Sequence, residues 1–287
     1  MTPVILPWRR RAERETKTFL SPAVRNLARE HGLDAAALAG RGSGGRVTRA
    51  DVAEATARGA QSTGDEIVPF NTIRRRTAAG LLASKATIPH ALAVVAADYS
   101  AVDDARRGQR LTALSFVARA VVDALREFPM MNATTDAGGT SLILHRAVHL
   151  GIAVDLDFQG LVVPVVRDAD GLRLRALASA IRDVAERARA RKLGPDDLAG
   201  GTFTITNPGA SGTWISFPVI NRPQVAILST DGVSKQVVAD DAGRLGISPI
   251  GRLCCSFDHR AIGGAYAGTF LRRVQEIVET RDWVMEL

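Results

Sequence analysis

One histidine stands where a catalytic side chain is expected. His259 follows the apolar, strand-like segment 252–257 and precedes the helix-like segment 266–279. A loop at the end of a strand holds a side chain firmly and leaves it accessible. An imidazole in such a loop can act as a general base near neutral pH, although a single histidine is more often structural. We expect the remaining histidines to be ordinary surface or core residues: His31, His90, His145 and His149.

A hydroxyl residue stands at the end of another predicted strand. The segment 201–207 is rich in β-branched residues and enters the turn Pro208-Gly209. At that end, the Thr206 hydroxyl can donate a hydrogen bond to an oxyanion. The simpler interpretation is that Thr206 caps the strand, and the residues alone leave both interpretations open.

Two other features are weak candidates for chemistry. The glycine-rich segment 40–45 lacks the Lys-Ser/Thr pair and the preceding strand of a phosphate-binding loop. We expect it to be a loop whose glycines adopt unusual φ angles. Cys254 and Cys255 are neighbours and have no disulfide or metal spacing. We predict two small buried side chains in a strand and no metal site.

The composition narrows the class of protein. Of 287 residues, 46% are hydrophobic and 23% are charged, which is typical of a globular protein and excludes disorder as the main state. No apolar run is long enough for a membrane helix or a secretory signal, so we predict a cytoplasmic protein without membrane association.

The positive charge is concentrated near the N-terminus. The net charge is +7, and residues 1–60 hold 11 basic and 6 acidic side chains. No nucleic-acid motif with interleaved aromatic residues accompanies this excess, so we predict no nucleic-acid partner. The charge favours binding to an acidic protein surface.

The chain divides by pattern into four segments. Residues 1–19 form a polar lead-in, and residues 20–55 form a small helical domain that begins with Ser21 as N-cap and Pro22 in the first turn. Residues 56–66 have no apolar periodicity and are predicted to be a linker. Residues 67–287 form one mixed domain.

Periodicity within residues 67–287 predicts four helices and seven strands. The helices are expected at 72–85, 111–128, 172–191 and 266–279. The strands are expected at 88–98, 142–144, 148–155, 161–166, 201–207, 225–230 and 252–257. Strands interrupted by long helices indicate an α/β fold or an α+β sandwich.

Several motifs together resemble one known family over most of the chain. The sequence is similar to the dihydrolipoamide acyltransferases of 2-oxoacid dehydrogenase complexes, whose catalytic domain has a chloramphenicol acetyltransferase-like fold. Residues 20–55 resemble their peripheral subunit-binding domain, the expected site of a protein partner. The matching stretches are Ser21–Val52, Thr87–His90, Leu150–Asp155, Gly160–Val165, Gly201–Asn207, Pro223–Leu228 and Ser256–Arg260.

The resemblance implies a role for each candidate residue. His259 matches the catalytic general base, and Thr206 matches the hydroxyl residue, usually serine, that stabilises the tetrahedral oxyanion. Acyl-CoA, most simply acetyl-CoA, is the implied co-substrate, and no permanently bound cofactor is expected. A homotrimer, or a larger assembly of trimers, is also implied, with each active site at a boundary between subunits.

The chain departs from the family pattern at two points. Gly263 stands where the family has an acidic residue or asparagine, which leaves a matching arginine, Arg74 or Arg75, in need of another partner. No lipoyl domain precedes residues 20–55, and Lys17 is the only lysine before them. We therefore expect no covalent lipoate here, and any lipoyl acceptor would be carried by another protein.

Three functions follow from these observations. The first is transfer of an acyl group from acyl-CoA to a hydroxyl of a small molecule, such as a tetronate in antibiotic biosynthesis, which both departures favour. The second is the catalytic core of a 2-oxoacid dehydrogenase complex, which the retained binding domain favours. The third is a non-enzymatic scaffold, which the intact His259 and Thr206 argue against.

Overall fold

The computed structural model describes residues 20–35, 37–63, 65–136, 138–239 and 242–287. The predicted lead-in 1–19 lies outside these ranges. The chain forms two compact units, one ending at Pro69 and the other spanning Phe70–Leu287. The finer domain limits expected from the sequence stay a prediction.

The first unit begins as its sequence predicts. Helix α1 spans Pro22–Glu30, and the Ser21 side chain accepts a hydrogen bond from the Val24 N–H. Val24 and Ala28 share one face of α1 and are buried in the small core. In the glycine-rich segment, Gly44 and Gly45 have φ angles of +71° and +75°, which confirms the expected unusual conformation.

Helix α2 spans Arg49–Thr63 and extends through most of the predicted linker. That prediction rested on the absence of an apolar stripe. However, the segment also contains Ala55 and Ala57, and alanine has the highest intrinsic helix propensity. The segment predicted to be a linker therefore extends the helix that begins after Thr48.

The second unit contains five helices among its described residues. Helix α5 packs on α6 and α7, and these two helices contact strands of the unit. Helix α4 was not predicted, because seven residues are too few to show an apolar stripe. The bounds are α3 Thr72–Thr87, α4 Ser100–Arg106, α5 Ala113–Glu127, α6 Leu174–Arg189 and α7 Gly264–Thr280.

Most predicted strands of this unit are shorter or more broken in the structure. The strand predicted at 142–144 is confirmed, the last strand is longer than predicted, and the strands at 133–135 and 234–239 were not predicted. The bounds are β1 His90–Asp98, β2 Ala133–Thr135, β3 Leu142–Leu144, β4 Leu150–Ile152, β5 Val154–Asp155, β6 Leu161–Val162, β7 Val165–Val166, β8 Phe203–Thr206, β9 Ala226–Thr230, β10 Ser234–Ala239 and β11 Leu245–Asp258.

The main sheet has seven strands in the order β1-β11-β9-β8-β4-β7, with β10 paired to the first half of β11. Strand β8 runs parallel to β9, and β9 runs antiparallel to β11. The pairs β2–β3 and β5–β6 form two small hairpins. This mixed sheet under a helical layer confirms the predicted fold class.

The two faces of the sheet differ in chemistry. One row across β8, β9 and β11, formed by Ile205, Leu228 and Cys255, belongs to the main hydrophobic core. The adjacent row, Thr206, Ser229 and Cys254, points to the opposite face. Both cysteines are free and buried, as predicted.

No helix in the described part of the chain is both long and apolar enough to cross a membrane. The cytoplasmic location expected from the sequence stays a prediction.

In the first unit, Asp51 caps the start of helix α2, and its hydrogen bonds depend on pH. Asp51 accepts hydrogen bonds from the Thr48 N–H at 2.7 Å, the Thr48 hydroxyl at 2.8 Å and Arg41 Nε at 3.1 Å. These bonds, the Thr48 backbone bond foremost, hold the pKa of Asp51 well below its usual value. Because the folded pKa is lower than the unfolded one, this stabilisation is present above about pH 4 and is lost as the pH falls.

We therefore expect protection of the Thr48 amide against hydrogen exchange, corrected for the intrinsic rate, to decrease below about pH 4. In an Asp51→Asn variant, protection should be weak and nearly independent of pH over the same range. An identical pH profile in the two proteins would contradict the assignment of Asp51 as the titrating group.

Candidate active site

His259 follows the last residue of β11 and lies in the turn before α7. Its N–H donates to the carbonyl of Pro89 at 3.1 Å, which ties the turn to the start of β1. The side chain is exposed, and its ring lies 5.6 Å from that of Phe257. Neither ring nitrogen has a hydrogen-bond partner within the residues that the structure describes. The imidazole is therefore accessible to accept a proton.

An ion pair between a buried carboxylate and an exposed arginine fixes the backbone around His259. The Asp258 side chain is fully buried and accepts from Arg260 through Nε at 3.0 Å, Nη2 at 2.6 Å and the backbone N–H at 3.0 Å. The Asp258 hydrogen bonds raise the pKa of Arg260 above its usual value. Such bidentate pairs are geometrically specific. No role was predicted for these two residues, although an acidic and a basic side chain at i and i+2 around His259 are visible in the sequence.

Thr206 is the last residue of β8 and is half-buried. Its hydroxyl has no hydrogen-bond partner in the described portion of the chain. Asn207 and a short 3₁₀ turn, Pro208–Ser211, follow directly. The carboxyl end of this central strand therefore carries an available hydroxyl donor.

The structure does not bring Thr206 and His259 together within one chain. Thr206 pairs with Ser229, which pairs with Cys254, and His259 lies five positions farther along. At about 3.3 Å per residue, the two residues are about 16 Å apart along the strand direction alone. A base and an oxyanion donor must both lie within about 3 Å of the reacting groups. Within one chain, the two candidate side chains therefore do not reach the same reacting groups.

A small polar cavity of about 190 Å³ lies beside the His259 turn. It is smaller than the roughly 300 Å³ at which sites for larger ligands begin, so this cavity alone does not accommodate coenzyme A. Its polar lining includes Thr135, Thr140, Ser141, Asp258 and Arg260.

His90 has a structural role, in agreement with its interpretation from the sequence. Its Nε2 accepts from the Ile220 N–H at 3.0 Å, and its Nδ1 lies 2.9 Å from the Ile88 carbonyl. The proton must then be on Nδ1. Burial lowers the pKa of His90 and so favours this neutral form. His90 fastens the segment after Thr206 to the start of β1.

Gly263 is the N-cap of α7 and leaves that position without a side-chain hydrogen bond. Its φ is −76°, and a Cβ there would meet no atom within 4 Å. The two arginines considered as partners of a family acid find other acceptors. Arg74 donates to the Phe158 carbonyl, and Arg75 donates to the Phe70 carbonyl and the Thr72 hydroxyl.

This geometry predicts the effect of restoring an acid. Gly263→Asp should stabilise the protein by about 0.5 kcal/mol, because the carboxylate can accept from the first free N–H groups of α7 and interacts favourably with the helix dipole. The acyl-transfer rate should change little. Thermal unfolding and activity are the measurements, and Gly263→Ala is the matched control without an acceptor. Equal stabilisation by alanine would rule out capping as the cause.

The sequence matches two known families. Residues 62–285 match the 2-oxoacid dehydrogenases acyltransferase (catalytic domain), and residues 18–53 match the e3 binding domain. One relative is the lipoamide acyltransferase component of the branched-chain alpha-keto acid dehydrogenase complex of Bacillus subtilis. It is 33% identical, over 94% of this chain and 73% of its own length.

A second relative is the dihydrolipoyllysine-residue succinyltransferase component of the Escherichia coli 2-oxoglutarate dehydrogenase complex. It is 35% identical, over 93% of this chain and 72% of its own length. The solved dihydrolipoamide acetyltransferase of Azotobacter vinelandii, in whose mechanism a serine, a histidine and an asparagine were investigated, is also similar. It shares 32% identity and a TM-score of 0.74 over 78% of this chain and 96% of its own.

These matches cover both units of the chain and confirm the resemblance read from its motifs. The protein belongs to the acyltransferase family of 2-oxoacid dehydrogenase complexes and is an acyltransferase.

Proposed function

We propose that this protein exchanges an acyl group between coenzyme A and a dihydrolipoyl thiol. The names of its relatives refer to lipoamide or to dihydrolipoyllysine residues. The observation that carries the proposal is His259, an exposed imidazole held by its backbone at the end of a rigid strand. The relatives differ in their acyl groups. The proposal therefore names acyl-CoA thioesters as the class of substrate and does not specify one acyl chain.

In the proposed reaction, His259 accepts the proton of the attacking thiol, and the sulfur forms a bond to the carbonyl carbon of the thioester. The carbonyl oxygen becomes an oxyanion, to which the Thr206 hydroxyl donates a hydrogen bond. The tetrahedral intermediate expels the second sulfur, which takes the proton back from His259. Thiol and thioester are exchanged, and no oxidant or reductant is consumed.

We propose further that two copies of the chain complete each site. His259 of one copy and Thr206 of another can approach each other, whereas the register across β8, β9 and β11 keeps them apart within one copy. Trp214, Ile215 and Phe217, in the segment after Thr206, expose 60%, 46% and 49% of their surface. Such an apolar patch is typical of an interface. A trimer, the arrangement expected from the sequence, would place three such sites at its boundaries.

The first unit is proposed to bind another component of the complex. A surface cavity of about 430 Å³ there is lined by Arg25, Arg29 and Asp34, together with apolar residues that include Leu20 and Leu33. Two arginines one helical turn apart offer bidentate donors to carboxylates. An acidic surface on a partner protein fits this chemistry.

A hydroxyl acceptor is less well supported than a dihydrolipoyl thiol. The small-molecule acceptor was the first expectation from the sequence, in part because Gly263 replaces the acid of the family pattern. The relatives described above are named as acyltransferases of lipoamide, dihydrolipoamide or dihydrolipoyllysine residues, and none of their names refers to a tetronate.

We expect the purified protein to release coenzyme A when acyl-CoA and dihydrolipoamide are supplied, and to transfer little to a hydroxymethyl tetronate. A thiol, with a pKa of about 8.5, loses its proton to imidazole far more easily than an alcohol. Acetyl-, succinyl- and isobutyryl-CoA should be compared, with acylated products identified by mass. Transfer to the tetronate alone would overturn the proposal.

The shared site predicts complementation between two inactive variants. His259→Ala and Thr206→Val should each lose about 100-fold or more in turnover when assayed alone. After unfolding and reassembly as an equal mixture, about a quarter of the sites should combine an intact His259 with an intact Thr206, because each site takes one residue from each neighbour.

The measurement is coenzyme A release by the reassembled mixture, with wild-type protein taken through the same procedure as reference. Separately reassembled variants provide the background. A mixture no more active than this background would contradict a site shared between copies, provided that capture of one variant by an affinity tag also recovers the other.

A further inference from the structure

A buried carboxylate lies beneath the segment that follows Thr206. Asp231 is 2% exposed and comes directly after β9. Its Oδ1 accepts from the hydroxyls of Thr213 at 2.7 Å and Ser216 at 2.6 Å, and its Oδ2 accepts from the Ser229 hydroxyl at 3.1 Å. Three hydroxyl donors therefore converge on one carboxylate, and two of them belong to the irregular segment after β8.

The third donor connects this carboxylate to the row that contains Thr206. Ser229 is the direct neighbour of Thr206 across β8 and β9, and both side chains point to the same face. Cys254 continues that row on β11. Burial raises the pKa of the Cys254 thiol to about 11, so the thiol stays neutral beside Asp231.

Backbone contacts make the same connection. The Asp231 N–H donates to the Arg252 carbonyl at 2.9 Å, and the Gly232 N–H donates to the Thr213 carbonyl at 2.7 Å. A Cβ on Gly209 would lie 2.7 Å from the Asp231 carbonyl carbon, so the 3₁₀ turn after Thr206 rests directly on this backbone. Above it, the Arg252 guanidinium lies 4.5 Å from the Trp214 ring centre.

We infer that Asp231 is a positioning residue for Thr206, a role that rests on the proposed function. By binding Thr213, Ser216 and Ser229 at once, the carboxylate fixes the segment that leaves Thr206 relative to the neighbouring strand. The segment has little regular structure of its own between Thr206 and Val225. Its conformation, and with it the direction of the Thr206 hydroxyl, therefore depends on side-chain anchors.

The inference predicts a loss in turnover that acts through Thr206. Asp231→Asn keeps the size of the side chain but removes its charge. It also replaces one acceptor oxygen by an NH2 group, which cannot accept a hydrogen bond from the surrounding hydroxyls. We expect kcat to fall about tenfold while KM changes less than about twofold, because a misdirected oxyanion donor weakens the transition state and not substrate binding. In a Thr206→Val background the same substitution should cause no further loss.

A structural readout separates this inference from the proposed function. The Gly212 and Gly232 amides, which donate within the anchored segment, should exchange their hydrogens faster in Asp231→Asn than in the wild type. If Thr206→Val alone retains wild-type kcat, the proposed role of Thr206 fails, whereas the exchange rates still test whether Asp231 anchors the segment.

Two further variants complete the test. Asp98→Asn changes another aspartate of the same sheet, one that accepts from the Ser100 N–H at the far end of β1, and should leave kcat unchanged. If Asp231→Asn does not fold, Ser216→Ala removes one donor and should give the same kcat effect on a smaller scale. An equal loss of kcat from Asp231→Asn in the wild-type and Thr206→Val backgrounds would overturn the inference. Unchanged hydrogen exchange at the Gly212 and Gly232 amides would also overturn it.

Discussion

The pairing of β11 with β1 on one side and with β9 on the other determines where the chemistry of this protein can occur. The first pairing ends at Asp258 opposite His90, which delivers His259 to one end of the sheet. The second sets Cys254 beside Ser229 and, through it, Thr206. Because a strand advances about 3.3 Å per residue, register alone keeps the two functional side chains apart. A shift of the strand pairing by one residue would also turn the side chains of the shifted strand to the opposite face of the sheet.

A buried carboxylate lies in the segment next to each of the two candidate side chains. Asp258 binds Arg260 and fixes the turn of His259, and Asp231 binds three hydroxyls around the segment after Thr206. Burying such groups is costly unless all their partners are present. Satisfied networks of this kind hold a single conformation, which leaves the functional imidazole and hydroxyl free to interact with substrate.

Features that depend on residues close together in the sequence could be predicted from the sequence. The Ser21 cap, the positive φ angles near Gly44 and the helix around Val117 depend on neighbours in sequence, and their predictions were confirmed. The first half of β11, from Leu245, was missed because its exposed pairing with β10 shows no buried alternation. His259 and Thr206 could be placed at strand ends. The hydrogen bonds of Asp231 and His90 could not be predicted, because they join residues brought together only by the folded sheet.

The surroundings of His259 also bear on the class of nucleophile. In a catalytic triad, a carboxylate orients the histidine and stabilises the imidazolium that forms when an alcohol is deprotonated. Here the adjacent carboxylate of Asp258 is buried and engaged with Arg260, and Gly263 provides no side chain. Among the described residues, no carboxylate contacts the His259 ring. An imidazole without such a partner can still accept the proton of a thiol, which is far more acidic than an alcohol. Within one subunit, the described side chains thus offer His259 no carboxylate of the kind that assists deprotonation of an alcohol.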